Sequence, residues 1–140
     1  MILVDTGPLV ALFDPRDADH AGCAAALAAI AEPLCTTVPV LTEAFHLLAP
    51  GSIGARRLMD FVSAQGLGVW FLDDAALGRA FELMVQYADR PMDLADASLV
   101  VLAETLVQRR IFTLDRGDFA VYRIKRGHQT LAFDVLDPGG

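Results

Sequence analysis

The chain has 140 residues, with 18 acidic and 11 basic side chains and a formal net charge of -7. This length fits one domain over residues 1–140, and a hydrophobic content of 54% can fill its core without disulfide bonds. The acid excess disfavours binding of nucleic acid by bulk charge, because proteins that hold a polyanion in that way are basic.

The cysteines and the apolar runs indicate where in the cell the protein is expected to be. Cys23 and Cys35 are too few for a disulfide framework, and they form no CxxC pair for zinc or redox chemistry. Asp5 interrupts the first apolar stretch, which also lacks a basic start, so no signal peptide is expected. No apolar run is long enough to cross a membrane. The sequence therefore predicts a cytoplasmic protein without a membrane segment.

Short apolar runs alternate with helical patterns along the chain. Strands are predicted at residues 2–4, 34–36, 68–72 and 110–114. Helices are predicted at residues 9–13, 19–30, 39–48, 53–65, 74–88 and 93–107. Segments 119–124 and 131–136 are predicted to be short strands or loops at one edge, and 138–140 a frayed end. This order predicts an α/β fold with a mainly parallel sheet of four or five strands covered by helices.

Four acids interrupt apolar runs, where a core would be expected. They are Asp5, Glu43, Asp96 and Asp115. Burying a carboxylate costs several kcal/mol unless it is paired or binds a metal, and few basic residues lie near these four in the sequence. The four acids therefore need a shared explanation.

The positions of two of these acids point to a metal site. Asp5 and Asp115 both follow predicted parallel strands, and ligand sites of open α/β sheets collect outside those strand ends. Carboxylates that meet there repel one another, and a divalent cation relieves the repulsion. Oxygen ligands of this kind select Mg²⁺ or Mn²⁺.

Each acid also has a simpler interpretation. Asp5 could be a helix cap and nothing more, Glu43 could lie on a solvated helix edge, and Asp115 could simply open a turn. Asp96 could form a capping box with Asp93, three residues earlier.

Three further acids have a weaker connection to the predicted metal site. Asp93 is better placed to begin its helix than to line a pocket. Asp118 fits two interpretations equally well, a further metal ligand and a turn residue. Asp134 is expected on the outer face of a strand, because it alternates with Phe133 and Val135.

The acidic segments occur in a characteristic order. They are Asp5-Thr6 after a strand, Val40-Leu41-Thr42-Glu43, Asp93-Leu94-Ala95-Asp96-Ala97-Ser98-Leu99-Val100, and Phe112-Thr113-Leu114-Asp115-Arg116-Gly117-Asp118-Phe119. This set, spread over nearly the whole chain, resembles the PIN-domain family, and most closely the VapC-type toxins of bacterial toxin–antitoxin pairs.

The resemblance implies a three-layer α/β/α domain and an endoribonuclease that depends on Mg²⁺ or Mn²⁺. The family's acidic quartet corresponds to the four acids that interrupt apolar runs. Asp118 corresponds to a further acid often present after the fourth one. Thr6 and Thr113 match hydroxyl positions beside the acids at the strand ends.

The expected mechanism is hydrolysis of an RNA phosphodiester at one or two metal ions. The expected metal ligands are Asp5, Asp96, Asp115 and Asp118. Glu43 is expected either to bind metal or to orient the attacking water. Thr6, Asp93 and Thr113 are expected to hold the carboxylates or the phosphate by hydrogen bonds.

Substrate phosphates need cations, and six of the 11 basic residues fall between positions 109 and 126. Arg116, Arg123 and Arg126 are the predicted RNA contacts. The same cluster could dock an acidic antitoxin segment, or could simply be a solvated edge.

Other functions fit this sequence less well. A phosphatase of the haloacid dehalogenase type needs a second acid two residues after Asp5, where this chain has Gly7. A receiver domain fits poorly, because Asp5-Thr6 is not a pair of acids. A catalytically silent PIN-like domain that binds metal or RNA remains the alternative. The expected partners are RNA, a cognate antitoxin and a second copy of the chain, packed through helices 21–31 and 40–48 unless these only fill the core.

Overall fold

The computed structural model describes residues 1–138, so residues 139–140 of the predicted frayed end lie outside the described part. The strands are Ile2–Val4 (β1), Leu34–Thr37 (β2), Gly68–Trp70 (β3), Arg110–Phe112 (β4), Arg123–Arg126 (β5), Gln129–Ala132 (β6) and Asp134–Leu136 (β7). The helices are Thr6–Phe13 (α1), His20–Ala29 (α2), Val38–Leu48 (α3), Ile53–Ser63 (α4), Asp74–Gln86 (α5), Leu94–Leu106 (α6) and Arg116–Val121 (α7).

The central sheet has five strands in the order β3-β2-β1-β4-β7, and every neighbouring pair is parallel. Leu3 of β1 lies beside Cys35 of β2 on one side and Ile111 of β4 on the other. The central position of β1 explains its three consecutive apolar residues, because such a strand is buried on both faces. The predicted parallel sheet is confirmed.

Side chains from β1 and β4 pack into two apolar layers, one on each face of the sheet. Leu3 and Ile111 pack into the main core, which the helices α3, α5 and α6 help to fill. Ile2 and Phe112 point to the opposite face, against Ala11 of α1 and Cys23 of α2. Helices therefore cover both faces of the sheet, which confirms the expected α/β/α layering.

The C-terminal segment differs from the prediction. Residues 116–121 form the helix α7, although a strand or loop was expected from residue 119 onward, because the side chain of Asp115 caps the helix and Phe119 fills a core position. A helix of six residues is too short for its periodicity to be recognised in the sequence. Segment 131–136 is divided between β6, which pairs with β5 in a separate antiparallel hairpin, and β7, which extends the central sheet.

Helix α1 also begins earlier than expected, at Thr6. Asp5 caps it by accepting a hydrogen bond from the Thr6 backbone N–H, so the strand passes into the helix without a loop.

The two cysteines are unpaired and buried in different apolar clusters. Burial raises the pKa of the Cys23 thiol to about 11. Within residues 1–138, no helix combines the length and the hydropathy needed to cross a bilayer.

Candidate active site

Neighbouring parallel strands bring the first and the last acid of the quartet to one edge of the sheet. Asp5 follows β1, and Thr113 and Asp115 follow the adjacent β4. The Thr113 hydroxyl donates a hydrogen bond of 2.7 Å to Oδ2 of Asp5 and accepts one of 2.9 Å from the Asp115 backbone N–H. Thr113 therefore links Asp5 and Asp115 through hydrogen bonds to both residues.

Asp5 is the most deeply buried of the four acids, with 7% of its surface exposed. Its Oδ1 accepts a hydrogen bond of 2.8 Å from the Thr6 backbone N–H. Burial raises the pKa of Asp5 to about 6, against the opposing effect of these two hydrogen bonds, and the charges of Asp115 and Glu43 add to the rise.

Asp96 lies in the first turn of α6, where it is half-buried. Asp93 caps the helix by accepting a hydrogen bond of 2.8 Å from the Asp96 backbone N–H. The phenol of Tyr122 donates a hydrogen bond of 3.0 Å to Oδ2 of Asp96. Burial, followed by the charges of Asp93 and Asp5, raises the pKa of Asp96 to about 8.

Glu43 projects from α3, and its pKa is raised by burial and by the charge of Asp93. Its carboxylate has no hydrogen bond or ion pair to any residue between 1 and 138. Glu43 is therefore the carboxylate of the quartet that is free to act on a ligand or a water molecule.

Asp115 differs from the expectation of a core position, because its side chain is exposed. Its Oδ1 accepts a hydrogen bond of 3.0 Å from the Asp118 backbone N–H and so caps α7. Asp118 in turn accepts a hydrogen bond of 2.8 Å from Nη1 of Arg90, which holds the pKa of Asp118 below its usual range. Burial and the neighbouring Asp118 raise the pKa of Asp115.

One cavity of about 530 Å³ collects all four acids of the quartet. Its lining residues are Asp5, Thr6, Gly7, Val10, Asp17, Glu43, Leu47, Asp93, Asp96, Leu114 and Asp115. Six of these side chains are carboxylates and none is basic, so the lining is strongly negative. Thr113 does not line the cavity but is hydrogen-bonded to Asp5 and Asp115, which do. Asp118 does not line the cavity either. Asp17 was not predicted, because it stands in a polar loop where an acid carries no distinguishing signal.

The donor set fits a hard divalent cation. The donors in the cavity are carboxylate and hydroxyl oxygens, and the buried Oγ1 of Thr6 has no hydrogen-bond partner among the described residues. Within residues 1–138, however, no three acidic, histidine or cysteine side chains form a ready-made ligand shell. The Asp115 carboxylate is directed to the amide of Asp118, so it would have to turn to join the other acids at a metal ion.

The predicted RNA contacts have protein partners of their own. Nε of Arg116 lies 2.7 Å from Oδ2 of Asp137, and Nη1 of Arg123 donates to backbone carbonyls at the end of α7. Arg126 is exposed on the β5–β6 hairpin.

Among the described residues, Arg90 is the arginine that forms an ion pair with an acid of the predicted site, Asp118. Its position in a polar loop after α5 gave no signal in the sequence. Tyr122 was missed for a similar reason, because its contact with Asp96 depends on the helix α7.

Comparison with known proteins supports the family. The sequence model of the PIN domain matches residues 2–125. Ribonuclease VapC26 of Mycobacterium tuberculosis is 30% identical over 125 residues, which cover 87% of this chain and 92% of that protein.

Solved structures share the fold. The crystal structure of VapC20 from Mycobacterium tuberculosis, described as a toxin that cleaves the sarcin–ricin loop, has a TM-score of 0.73 at 21% identity, covering 79% of this chain and 87% of that one. A chain of a toxin–antitoxin complex from Klebsiella pneumoniae has a TM-score of 0.67 at 20% identity, covering 86% and 92%. The family match, the identity to a VapC protein and the shared fold agree: this chain belongs to the PIN-domain family and is of the VapC type.

Proposed function

We propose that this protein is an endoribonuclease that depends on Mg²⁺ or Mn²⁺ and acts as the toxin of a toxin–antitoxin pair. The observation that carries the proposal is the cavity in which Asp5, Glu43, Asp96 and Asp115 meet without a basic residue in the lining. The ribonuclease name of the relative that is 30% identical points to RNA as the substrate.

Asp5, Asp96 and Asp115 would hold the metal, and Asp118 would join them if it turned from Arg90. The raised pKa values of Asp5 and Asp96 fit this role, because crowded carboxylates favour a cation over mutual repulsion. A bound divalent ion lowers the pKa of a coordinated water and polarises a phosphoryl oxygen.

Glu43 would orient the attacking water and accept its proton. Its carboxylate is unengaged, and its raised pKa brings it closer to the neutral range in which a general base works best.

Other side chains would keep the ligands in position. Thr113 fixes both Asp5 and Asp115, and Asp93 fixes the first turn of α6 that carries Asp96. The hydroxyl of Thr6 has no partner, so it is available to the metal's water or to phosphate.

RNA would approach along the basic C-terminal segment. Arg126 is exposed on the hairpin, and Arg116 and Arg123 keep N–H donors free beside their present partners. Replacing Arg116 and Arg123 together should weaken RNA binding and flatten its salt dependence. Unchanged affinity in the double variant would remove these contacts from the proposal.

An antitoxin and a second copy of the chain are the proposed protein partners. An apolar groove of about 960 Å³ between α4 and the edge strand β3, with Phe71 72% exposed at its side, offers a surface for the antitoxin. Exposed Leu47 of α3 offers one for a homodimer, beside the acidic cavity that it also lines. The unpaired buried thiols fit a reducing compartment such as the cytoplasm.

The test is cleavage of end-labelled RNA by the purified chain with Mg²⁺, with Mn²⁺ and with chelator. We expect cleavage with either metal and none with chelator. RNA binding without cleavage under all conditions would favour the silent domain, and cleavage that persists in chelator would exclude the metal-dependent mechanism.

A further inference from the structure

Arg90 stands in the loop between α5 and α6 and reaches toward α7. Its Nη1 lies 2.8 Å from Oδ1 of Asp118, and its side chain is 44% exposed. A Cβ at Gly117 would lie 4.0 Å from that Nη1 and 3.8 Å from Oδ1 of Asp115. The guanidinium and a carboxylate of the cavity therefore flank the same glycine.

Arg90 is the one lysine or arginine of residues 1–138 that is ion-paired with an acid of the predicted site. The other arginines in ion pairs are bound elsewhere: Arg16 to Asp14, Arg79 to Glu82 and Glu104, Arg110 to Glu32 and Asp134, and Arg116 to Asp137. A phosphodiester that enters a cavity of six carboxylates meets strong repulsion, so a cation at the entrance has a direct use there.

The hydrogen bonds of Arg90 leave it capacity for a ligand. Arginine has five N–H donors, and in the described chain only Nη1 of Arg90 is engaged. Nε and Nη2 have no protein partner among residues 1–138. Asp118 thus holds a guanidinium in place with a free edge of the kind that binds phosphate oxygens in a bidentate manner.

We propose that Arg90 binds a phosphate of the RNA substrate at the entrance of the acidic cavity, and that Asp118 holds its guanidinium there until substrate arrives. This inference rests on the proposed ribonuclease function. Oδ1 of Asp118 accepts from Nη1 of Arg90, so Nε and Nη2 remain available to the phosphate.

The simpler alternative is an exposed salt bridge without a ligand, which contributes little to stability. RNA affinity separates the two interpretations, because removing a purely structural ion pair would leave RNA affinity unchanged.

Binding is measured with a fluorescent RNA in the presence of Mg²⁺, in a background of Asp5→Asn that prevents cleavage. Arg90→Gln removes the charge, and Arg90→Lys keeps the charge but not the fork. The control is Arg57→Gln, an exposed arginine of α4 that does not line the cavity.

We expect Arg90→Gln to weaken RNA binding about 10-fold and to reduce the slope of log affinity against log salt by about one. Arg90→Lys should fall between Arg90→Gln and the parent, and Arg57→Gln should match the parent. If Arg90→Gln binds RNA as Arg57→Gln does, the proposal is overturned. The same holds if Arg90→Gln changes only the melting temperature or the response to Mg²⁺.

The binding assay separates this inference from the proposed function. If wild type cuts no RNA with either metal, the ribonuclease proposal fails, while the comparison of Arg90→Gln with Arg57→Gln still reports on the phosphate contact. If wild type cuts RNA and Arg90→Gln binds normally, only the role of Arg90 fails. Should Arg90→Gln not fold, Arg90→Lys decides alone: an affinity equal to that of the parent contradicts bidentate phosphate binding.

Discussion

The phenol of Tyr122 donates a hydrogen bond of 3.0 Å to Oδ2 of Asp96, across the contact between α7 and α6. Tyr122 is fully buried, and the rings of Tyr87 and Phe119 pack edge-on against it at 5.1 and 5.2 Å. This packing keeps the phenol from turning to another partner. It therefore holds Oδ2 of Asp96 and leaves Oδ1 for the cavity. Tyr122, the residue that ends the unpredicted helix α7, thus orients a predicted ligand.

Replacing Tyr122 with Phe should weaken metal binding. The substitution keeps the packing of the ring but removes the donor that orients Asp96 and favours its charged form. We expect the Mg²⁺ concentration for half-maximal cleavage, and for half-maximal thermal stabilisation, to rise about 10-fold.

The matched control is Tyr87→Phe, because the Tyr87 hydroxyl accepts from the backbone N–H of Arg123 and touches no carboxylate. Its Mg²⁺ requirement should equal that of wild type. Equal Mg²⁺ requirements in both variants would show that Tyr122 has no influence on the site.

The metal-free protein should lose stability as the pH rises from about 4 to about 8. Asp96 has a pKa of about 8 when folded and 3.8 as the ordinary value, so between those limits the folded state holds a proton that the unfolded state has released. Unfolding then releases a proton, and rising pH favours it. Asp5, with a pKa of about 6, adds to the loss below that pH.

Thermal melts in chelator at pH 6 and pH 8 measure this loss. We expect a melting temperature lower by a few degrees at pH 8 in wild type, and a much smaller difference in Asp96→Asn. Saturating Mg²⁺ should raise the wild-type value at pH 8 by mass action. A melting temperature that rises from pH 6 to pH 8 in the metal-free protein would contradict the crowding of these carboxylates.

Glu104 of α6 joins three elements at the other end of the domain. Its two oxygens accept from Nε and Nη2 of Arg79 at 2.9 and 3.0 Å, and Oε2 also accepts from the Lys125 backbone N–H at 2.8 Å. The side chain is 12% exposed, so its removal leaves Arg79 without its main partner in a partly buried position.

Replacing Glu104 with Ala should lower the free energy of unfolding by about 2 kcal/mol. Glu82, the other partner of Arg79, is 70% exposed, and Glu82→Ala should cost less than about 0.5 kcal/mol. Urea unfolding followed by circular dichroism measures both. Similar losses in the two variants would show that burial does not distinguish these ion pairs.

Much of this fold could be predicted because β1 and β4 are buried runs followed by polar breaks. Their acids were found for the same reason, since a carboxylate directly after an apolar strand is conspicuous. Short strands or loops were predicted at 119–124 and 131–136, but the pairing of β5 with β6 and the helix α7 could not be predicted, because short elements leave too few residues for periodicity to be read.

The contacts that refine the site could not be predicted for a related reason. Tyr122 and Arg90 reach Asp96 and Asp118 from elements far along the chain, and each looks ordinary in its own segment. The exposure of Asp115 was also hidden, because its role as the cap of α7 depends on a helix that the sequence pattern did not indicate.

The central claim is that the four acids of the cavity form a metal site for RNA cleavage. The most direct test is the cleavage rate of Asp96→Asn with Mg²⁺, beside Asp60→Asn, whose exposed carboxylate lies on α4 away from the cavity. Asn preserves the size of the side chain and an acceptor for Tyr122, so both variants should fold. We expect a loss of at least about 100-fold in Asp96→Asn and an unchanged rate in Asp60→Asn. Full activity in Asp96→Asn would contradict the claim.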